Sequence, residues 1–191
     1  MRKFPLLILL AILIFSILPA CDLSNDSDDY WEEYRDWREA NNEWIAEQEV
    51  LTDDDGQLYY TKIIPSWNTA AYVLIHYFND TMLTCGNLKP LSTSTIDMKY
   101  YGCLYDGTVF DSSYSYTDPA DSVYREYMPN LISGMSIALQ NMHVGDTVEA
   151  IIPYALGYGS SGYSSIYPYS HLVFGIRLVD IPGYEIRTEW D

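Results

Sequence analysis

The chain has 191 residues, with 27 Asp or Glu against 10 Lys or Arg, so its formal net charge is −17. That balance excludes a nucleic-acid partner, which needs a basic face. Three Cys and three His, with no C-x-x-C spacing, argue against a Cys-based metal site.

The first segment is a targeting signal. Arg2 and Lys3 precede an almost unbroken apolar run from Phe4 to Leu18, which is too short to span a bilayer comfortably and has signal-peptide length. It stops at Leu18-Pro19-Ala20-Cys21, which resembles the lipobox of bacterial lipoproteins; the alternative is an ordinary secretory signal with an incidental Cys. Residues 1–20 are thus expected to be a lipoprotein signal peptide and Cys21 the lipidated residue. Lipid on Cys21 implies membrane attachment, because each buried methylene of an acyl chain contributes about 0.8 kcal/mol. Residues 21–28 form an acidic tether, too polar to pack a core. It resembles the export signal of Bacteroidetes surface lipoproteins and reads equally well as a plain linker. Either way the chain is expected in the bacterial envelope, on the periplasmic side of the outer membrane or at the cell surface. Cys85 and Cys103 remain, and an oxidising compartment permits, without requiring, a bridge between them.

Residues 29–56 are expected to hold an amphipathic helix, from Asp29 to about Leu51. Asp29 and Glu32 make a capping-box-like start, and Tyr30, Tyr34, Trp37, Asn41, Trp44, Ile45 and Gln48 fall on one stripe. The stripe could dock on its own domain, on a client or on a second copy in a homodimer. "TDDDGQ" (52–57) ends the helix.

From Leu58 onward the pattern is β. Residues 57–93 supply lead-in strands at 59–64 and 71–78. Ile96, Met98 and Tyr100 alternate with Asp97 and Lys99, the period of a strand with one wet face. Asp106-Gly107 between apolar runs predicts a type I′ hairpin. Residues 112–122 read as a polar loop, Val148 to Ile152 as a strand, and Leu172, Phe174, Ile176 and Leu178 as the apolar face of the last strand. Met135, Ala138, Leu139 and Met142 break this pattern at helical spacing, with Gly145 as a stop. The expected class is α+β: an antiparallel half-barrel wrapped around one short helix and preceded by the N-terminal amphipathic helix.

Two motifs mislead. "GYGSSG" (157–162) matches G-x-G-x-x-G literally, but no helix period follows it, so it is a tight loop rather than a dinucleotide site. "GMSIA" approaches a nucleophile elbow, yet Ser136 enters an amphipathic helix with no hydrophobic strand before it.

The succession "IDMKYYG", "DGTVFDSS", "LISGMSIALQNMHVGD", "IIPYALGYG" and "IYPYSHLVFGIRLVDI" resembles the FKBP-type peptidyl-prolyl isomerase domain. The resemblance spans about 94–182 and leaves 183–191 as a tail. It implies a pocket that grips a proline ring, needs no cofactor, and acts on proline-containing polypeptide clients in the folding of exported proteins. By motif, Tyr100, Phe110 and Asp111 match the first-strand Tyr and the Phe-Asp pair. Leu131 and Ile132 match the aliphatic pair before the helix, with the second residue's N–H binding substrate. Tyr158 matches the hydroxyl donor, and Ile166 and Phe174 the far wall. Met135 stands where the family usually has a pocket-floor Trp, and Val123 and Tyr124 compete for one further aromatic position. Because Met is flexible, a non-catalytic binding module is the alternative; the 19 Tyr also suggest an adhesive surface.

Overall fold

The computed structural model describes residues 31–115 and 122–183. Within them, helix α1 (Arg35–Glu49) precedes strands β1 (Thr61–Ile63), β2 (Val73–Tyr77), β3 (Thr95–Leu104), β4 (Val109–Ser112) and β5 (Tyr124–Tyr127). Helix α2 (Ser133–Leu139) and strands β6 (Thr147–Ile152) and β7 (Leu172–Asp180) complete the order. One antiparallel sheet runs β1-β2-β6-β7-β3-β4, and β5 shares the edge of β3 with β4. β5 pairs with Thr95–Met98 and β4 with Tyr101–Cys103, so the sheet edge parts between them. β1 and β2 belong to the same sheet as the later strands. Cys21, the leader, the tether, residues 116–121 and the tail from 184 lie outside the described residues.

The concave face of the sheet buries α2. Met135, Ala138 and Leu139 of the helix, with Met142 beyond it, pack among Ile75, Ile96, Met98, Val148, Ile152 and Ile176. Gly134 makes this approach feasible, because a Cβ there would collide with Ile152 Cγ2. The expected short helix is present but ends at Leu139, one turn before the last residue of its apolar set.

The other face of the sheet is also covered, by α1. Ile45 packs on Tyr60, Leu74, Ile151 and Val173, flanked by Trp44 and Cys103. The helix is shorter than residues 29–51, although 31–33 are helical too, and its capping residue Asp29 lies outside the described residues. Asn41, a polar member of the stripe, is satisfied. Asn41 donates from Nδ2 to the Trp37 carbonyl (2.9 Å) and accepts the His171 N–H on Oδ1 (2.9 Å). Trp37 Nε1 donates to Ser170 Oγ at 3.1 Å. Arg38, which periodicity did not assign to the stripe, is buried with its guanidinium 3.3 Å from the centre of the Trp31 ring. Among the described residues, Trp37, Asn41, Trp44 and Ile45 of the stripe thus pack on the chain's own sheet and 167–171 loop.

Two local expectations change, and the pairing left open for Cys85 and Cys103 is not made. The β3–β4 turn is not type I′: Gly107 has φ +85°, but Asp106 is not among the described positive-φ residues. Gly107 N–H donates to Leu104 O and Leu104 N–H to Thr108 O, both at 2.9 Å, which is a type I turn closed by a left-handed Gly. Asp106 Oδ1 accepts the Thr108 N–H at 2.9 Å, a side-chain turn that suits negative φ. Asp97, expected on the wet face, is 8% exposed and takes two 2.7 Å bonds from Arg125 Nε and Nη2. That partner comes from β5, a strand too short and mixed ("YREY") for its period to be read. Cys85 and Cys103 are both free.

A buried anchor ties the β2–β3 connection to the start of β6. Asp146, fully buried, accepts from Thr84 Oγ1 (2.5 Å), Asn79 Nδ2 (3.0 Å) and the His143 N–H (2.7 Å). Burial alone would raise its pKa, but these donors outweigh it and hold the carboxyl below the usual value.

Candidate functional site

Where the sheet edge parts, the concave face opens into a cleft of about 400 Å³ between β3, β4, β5, α2 and the loop after β6. β3 contributes Met98 and Tyr100, on alternate positions of its inner face, and β7 adds Phe174. Leu131, Ile132 and Met135 enter from the start of α2, and Tyr158 and Tyr163 from the loop. Met135, 3% exposed, forms the apolar floor.

The polar groups are few and ordered. Tyr100 Oη donates to Asp111 Oδ2 at 2.9 Å, and Asp111 Oδ1 accepts the Ser112 N–H at 2.8 Å. Ser113, fully buried, accepts the Tyr100 N–H on Oγ at 3.1 Å and fixes the strand under the ring. Tyr158 stacks on Tyr163 with centroids 5.1 Å apart. Burial, then the Asp111 charge and then Tyr163, push the Tyr158 phenol above its ordinary pKa, so it remains a donor at neutral pH. Among the described residues, the Ile132 N–H, at the N-cap of α2, makes no backbone hydrogen bond.

The expected set is thus largely brought together, with exceptions. Phe110 and Ile166 line a smaller adjoining cavity of about 150 Å³, which shares Asp111, Tyr158 and Tyr163 with the cleft. Phe110 meets Phe174, a residue of the cleft, edge-on at 5.6 Å. Val123 lies elsewhere, beside Lys99 and Arg177. Tyr124 fills the aromatic position, with its ring 5.7 Å from Tyr100.

Glu126, Asn130 and Tyr163 line the cleft without having been expected there. Glu126 follows from Tyr124 by the two-residue period of β5, a signal that was hidden until the strand was placed. Its Oε1 accepts from Asn130 Nδ2 (2.8 Å) and the Tyr127 N–H (2.9 Å), and its Oε2 from Tyr124 Oη (2.8 Å). Burial raises its pKa, but these three donors prevail and hold it below the ordinary Glu value. The G-x-G-x-x-G stretch forms loop, with Gly159 and Gly162 at positive φ and no helix after it.

This arrangement is an apolar concave site with a small number of placed polar groups. The sequence pattern of the FKBP-type peptidyl-prolyl cis-trans isomerase family matches residues 86–179. FK506-binding protein 2 of Debaryomyces hansenii is 40% identical over 94 residues, 49% of this chain and 68% of that protein. The chain belongs to the FKBP-type peptidyl-prolyl cis-trans isomerase family. FkpA of Escherichia coli K12 is 35% identical over 105 residues, 53% of this chain and 37% of that protein. The crystal structure of E. coli FkpA has the same fold, with TM-score 0.61 and 20% identity over 94% of this chain and 83% of that one. The outer membrane protein MIP of Legionella longbeachae is 36% identical over 94 residues, 49% of this chain and 39% of that protein. The chain spans less than half the length of these two bacterial relatives.

Proposed function

We propose that the chain is a prolyl isomerase that assists the folding of exported proteins. The observation that supports it best is an apolar cleft holding a Tyr100–Asp111 bond beside the Tyr158 hydroxyl and the Ile132 N–H. Prolyl rotation crosses about 18–20 kcal/mol, through a twisted amide that has lost its resonance. Water stabilises the planar, charge-separated amide, and a cleft walled by Tyr100, Phe174, Met135 and Leu131 removes that water. Tyr158 and the Ile132 N–H hold the twisted form by donating to carbonyl oxygens of the substrate. Phe110 and Ile166 line the adjoining cavity. Binding the twisted state better than the planar one is sufficient for catalysis, and each 1.36 kcal/mol of that difference is tenfold in rate. A non-catalytic module is the less favoured reading. Isomerisation of an Ala-Leu-Pro-Phe peptide by the processed chain is the test, and a rate equal to the uncatalysed one would reject it.

Met135 sets how firmly the ring is gripped. Met135→Trp is expected to raise kcat/KM about threefold to tenfold, because a broad rigid floor discriminates shape better than a flexible thioether. A melting curve checks for overpacking, which would cost about 1–3 kcal/mol. A stable variant with unchanged catalysis would remove Met135 from the floor.

The envelope placement rests on the apolar run 4–18 and Cys21 in the sequence, and it accords with the outer-membrane name of the MIP relative. Cys21→Ser is expected to move the protein from the membrane to the soluble fraction, read by fractionation. Continued membrane partitioning of a processed Cys21→Ser chain would reject lipid anchoring at that residue.

A further inference from the structure

Among the described residues, the cleft is lined by two carboxylates and no cation. Asp111 and Glu126 both line it, and among the described residues no Lys, Arg or His does. The nearest basic residues along the strands are turned away: Arg125 is paired with Asp97, and Lys99 and Arg177 border a different cavity. Glu126 is held by three donors, which fix its position and keep it charged. Those bonds occupy three of its roughly four acceptor sites, which leaves room on Oε2 for one further donor. Tyr100, bonded to Asp111, and Tyr124, bonded to Glu126, stand with ring centroids 5.7 Å apart and link the two carboxylates; aromatic rings of this kind attract a cation and accommodate an alkyl stem.

An apolar proline ring makes no use of a second charge. We propose that the cleft selects proline-containing segments with a Lys or Arg directly beside the proline, and that Glu126 is the residue determining this preference. The proposal rests on the isomerase reading and names the substrate class for the same site. The proline ring occupies the Met135 floor, while the neighbouring side chain runs along the tyrosine rings and places its cation at Glu126. The net charge of −17 adds long-range attraction for basic clients and repulsion for acidic ones.

The test compares peptides carrying Lys, Leu or Glu immediately before the proline, and a second set with the same residues immediately after it. Exchange NMR gives kcat/KM without a coupling protease. At low salt the Lys peptide is expected to exceed the Glu peptide by about tenfold at one flank at least, with Leu between them. Glu126→Gln should reduce that ratio severalfold. So should 0.5 M salt, less completely because the site is partly screened from solvent. Glu39→Gln, on the exposed side of α1, removes the same charge far from the cleft and should leave the ratio unchanged. Equal rates for Lys and Glu peptides at both flanks would overturn the proposal. So would a ratio untouched by Glu126→Gln, or one lowered equally by Glu39→Gln. If no peptide turned over, the isomerase reading would fail by itself. Chemical-shift titration of the same peptides would then decide the cation preference as a matter of binding.

Discussion

Lowering the pH from 6.5 to 4 is expected to remove about 3 kcal/mol of stability through His171 alone. The ring is 3% exposed, and its Nδ1 accepts the Tyr154 N–H at 3.0 Å, so the proton of the neutral ring sits on Nε2. Nε2 is buried with no hydrogen-bond partner among the described residues, and burial pushes the pKa down to about 4 from 6.5. The unfolded chain takes up a proton below pH 6.5, whereas the folded chain resists until about pH 4. Stability is therefore full above pH 6.5 and declines through that window at about 1.4 kcal/mol per pH unit. For a domain of this size the loss corresponds to a fall in Tm of roughly 10 °C. His171→Asn keeps an acceptor near the Nδ1 position and removes the titration, so its Tm should be flat over the same interval. Urea melts at several pH values check this, and an unchanged slope in the variant would assign the proton uptake elsewhere. Asp146 acts in a separate window: its lowered pKa contributes stability above the unfolded Asp value near 3.8, which is lost only below that pH.

Tyr158→Phe is expected to reduce kcat/KM about tenfold, and Asp111→Ala by about tenfold to a hundredfold, both without loss of fold. A hydrogen bond made to the twisted amide contributes on the order of 1 kcal/mol net, and more where a charge takes part. Among the described residues the Tyr158 hydroxyl makes no hydrogen bond, so Phe should change stability by no more than about 0.5 kcal/mol. Its raised pKa also means that activity should not fall from Tyr158 ionisation below pH 10. Asp111 acts differently. Removing it frees the Tyr100 hydroxyl from its 2.9 Å bond and loosens the ring that forms the cleft wall. Exchange NMR with a Leu-Pro peptide, paired with melting curves, separates the two effects. Wild-type rates in both variants would remove these residues from the site.

Much of the site was legible because its motifs are local. Tyr100, Asp111, Ile132, Met135, Tyr158 and Phe174 stand in stretches whose order identified the family, and all six line one cleft. The positions that the sequence left unsettled share a cause. Phe110 and Ile166 belong to the right elements, but whether a ring faces the cleft or the adjoining cavity depends on Phe174 and Tyr163, which come from distant parts of the chain. Val123 and Tyr124 were indistinguishable until β5 paired with β3 and set which residue points inward. Glu126 was invisible for the same reason.

By itself the sequence determined what periodicity and turn chemistry encode within a few residues. It placed the strands from 59 onward except β5, the apolar face of the short helix, the loop character of 157–162 and the single aromatic stripe of α1. Only the tertiary structure decided what each face meets. The stripe of α1 could have served a partner, but Leu74, Ile151 and Val173 turn a second apolar surface outward, and α1 covers it. Asp97 became an internal ion pair when Arg125 was brought opposite it, and Asp106 stayed at negative φ because its carboxylate caps the turn. A period records which side chains share a face, whereas burial and partnership depend on contacts made by residues far away in the chain.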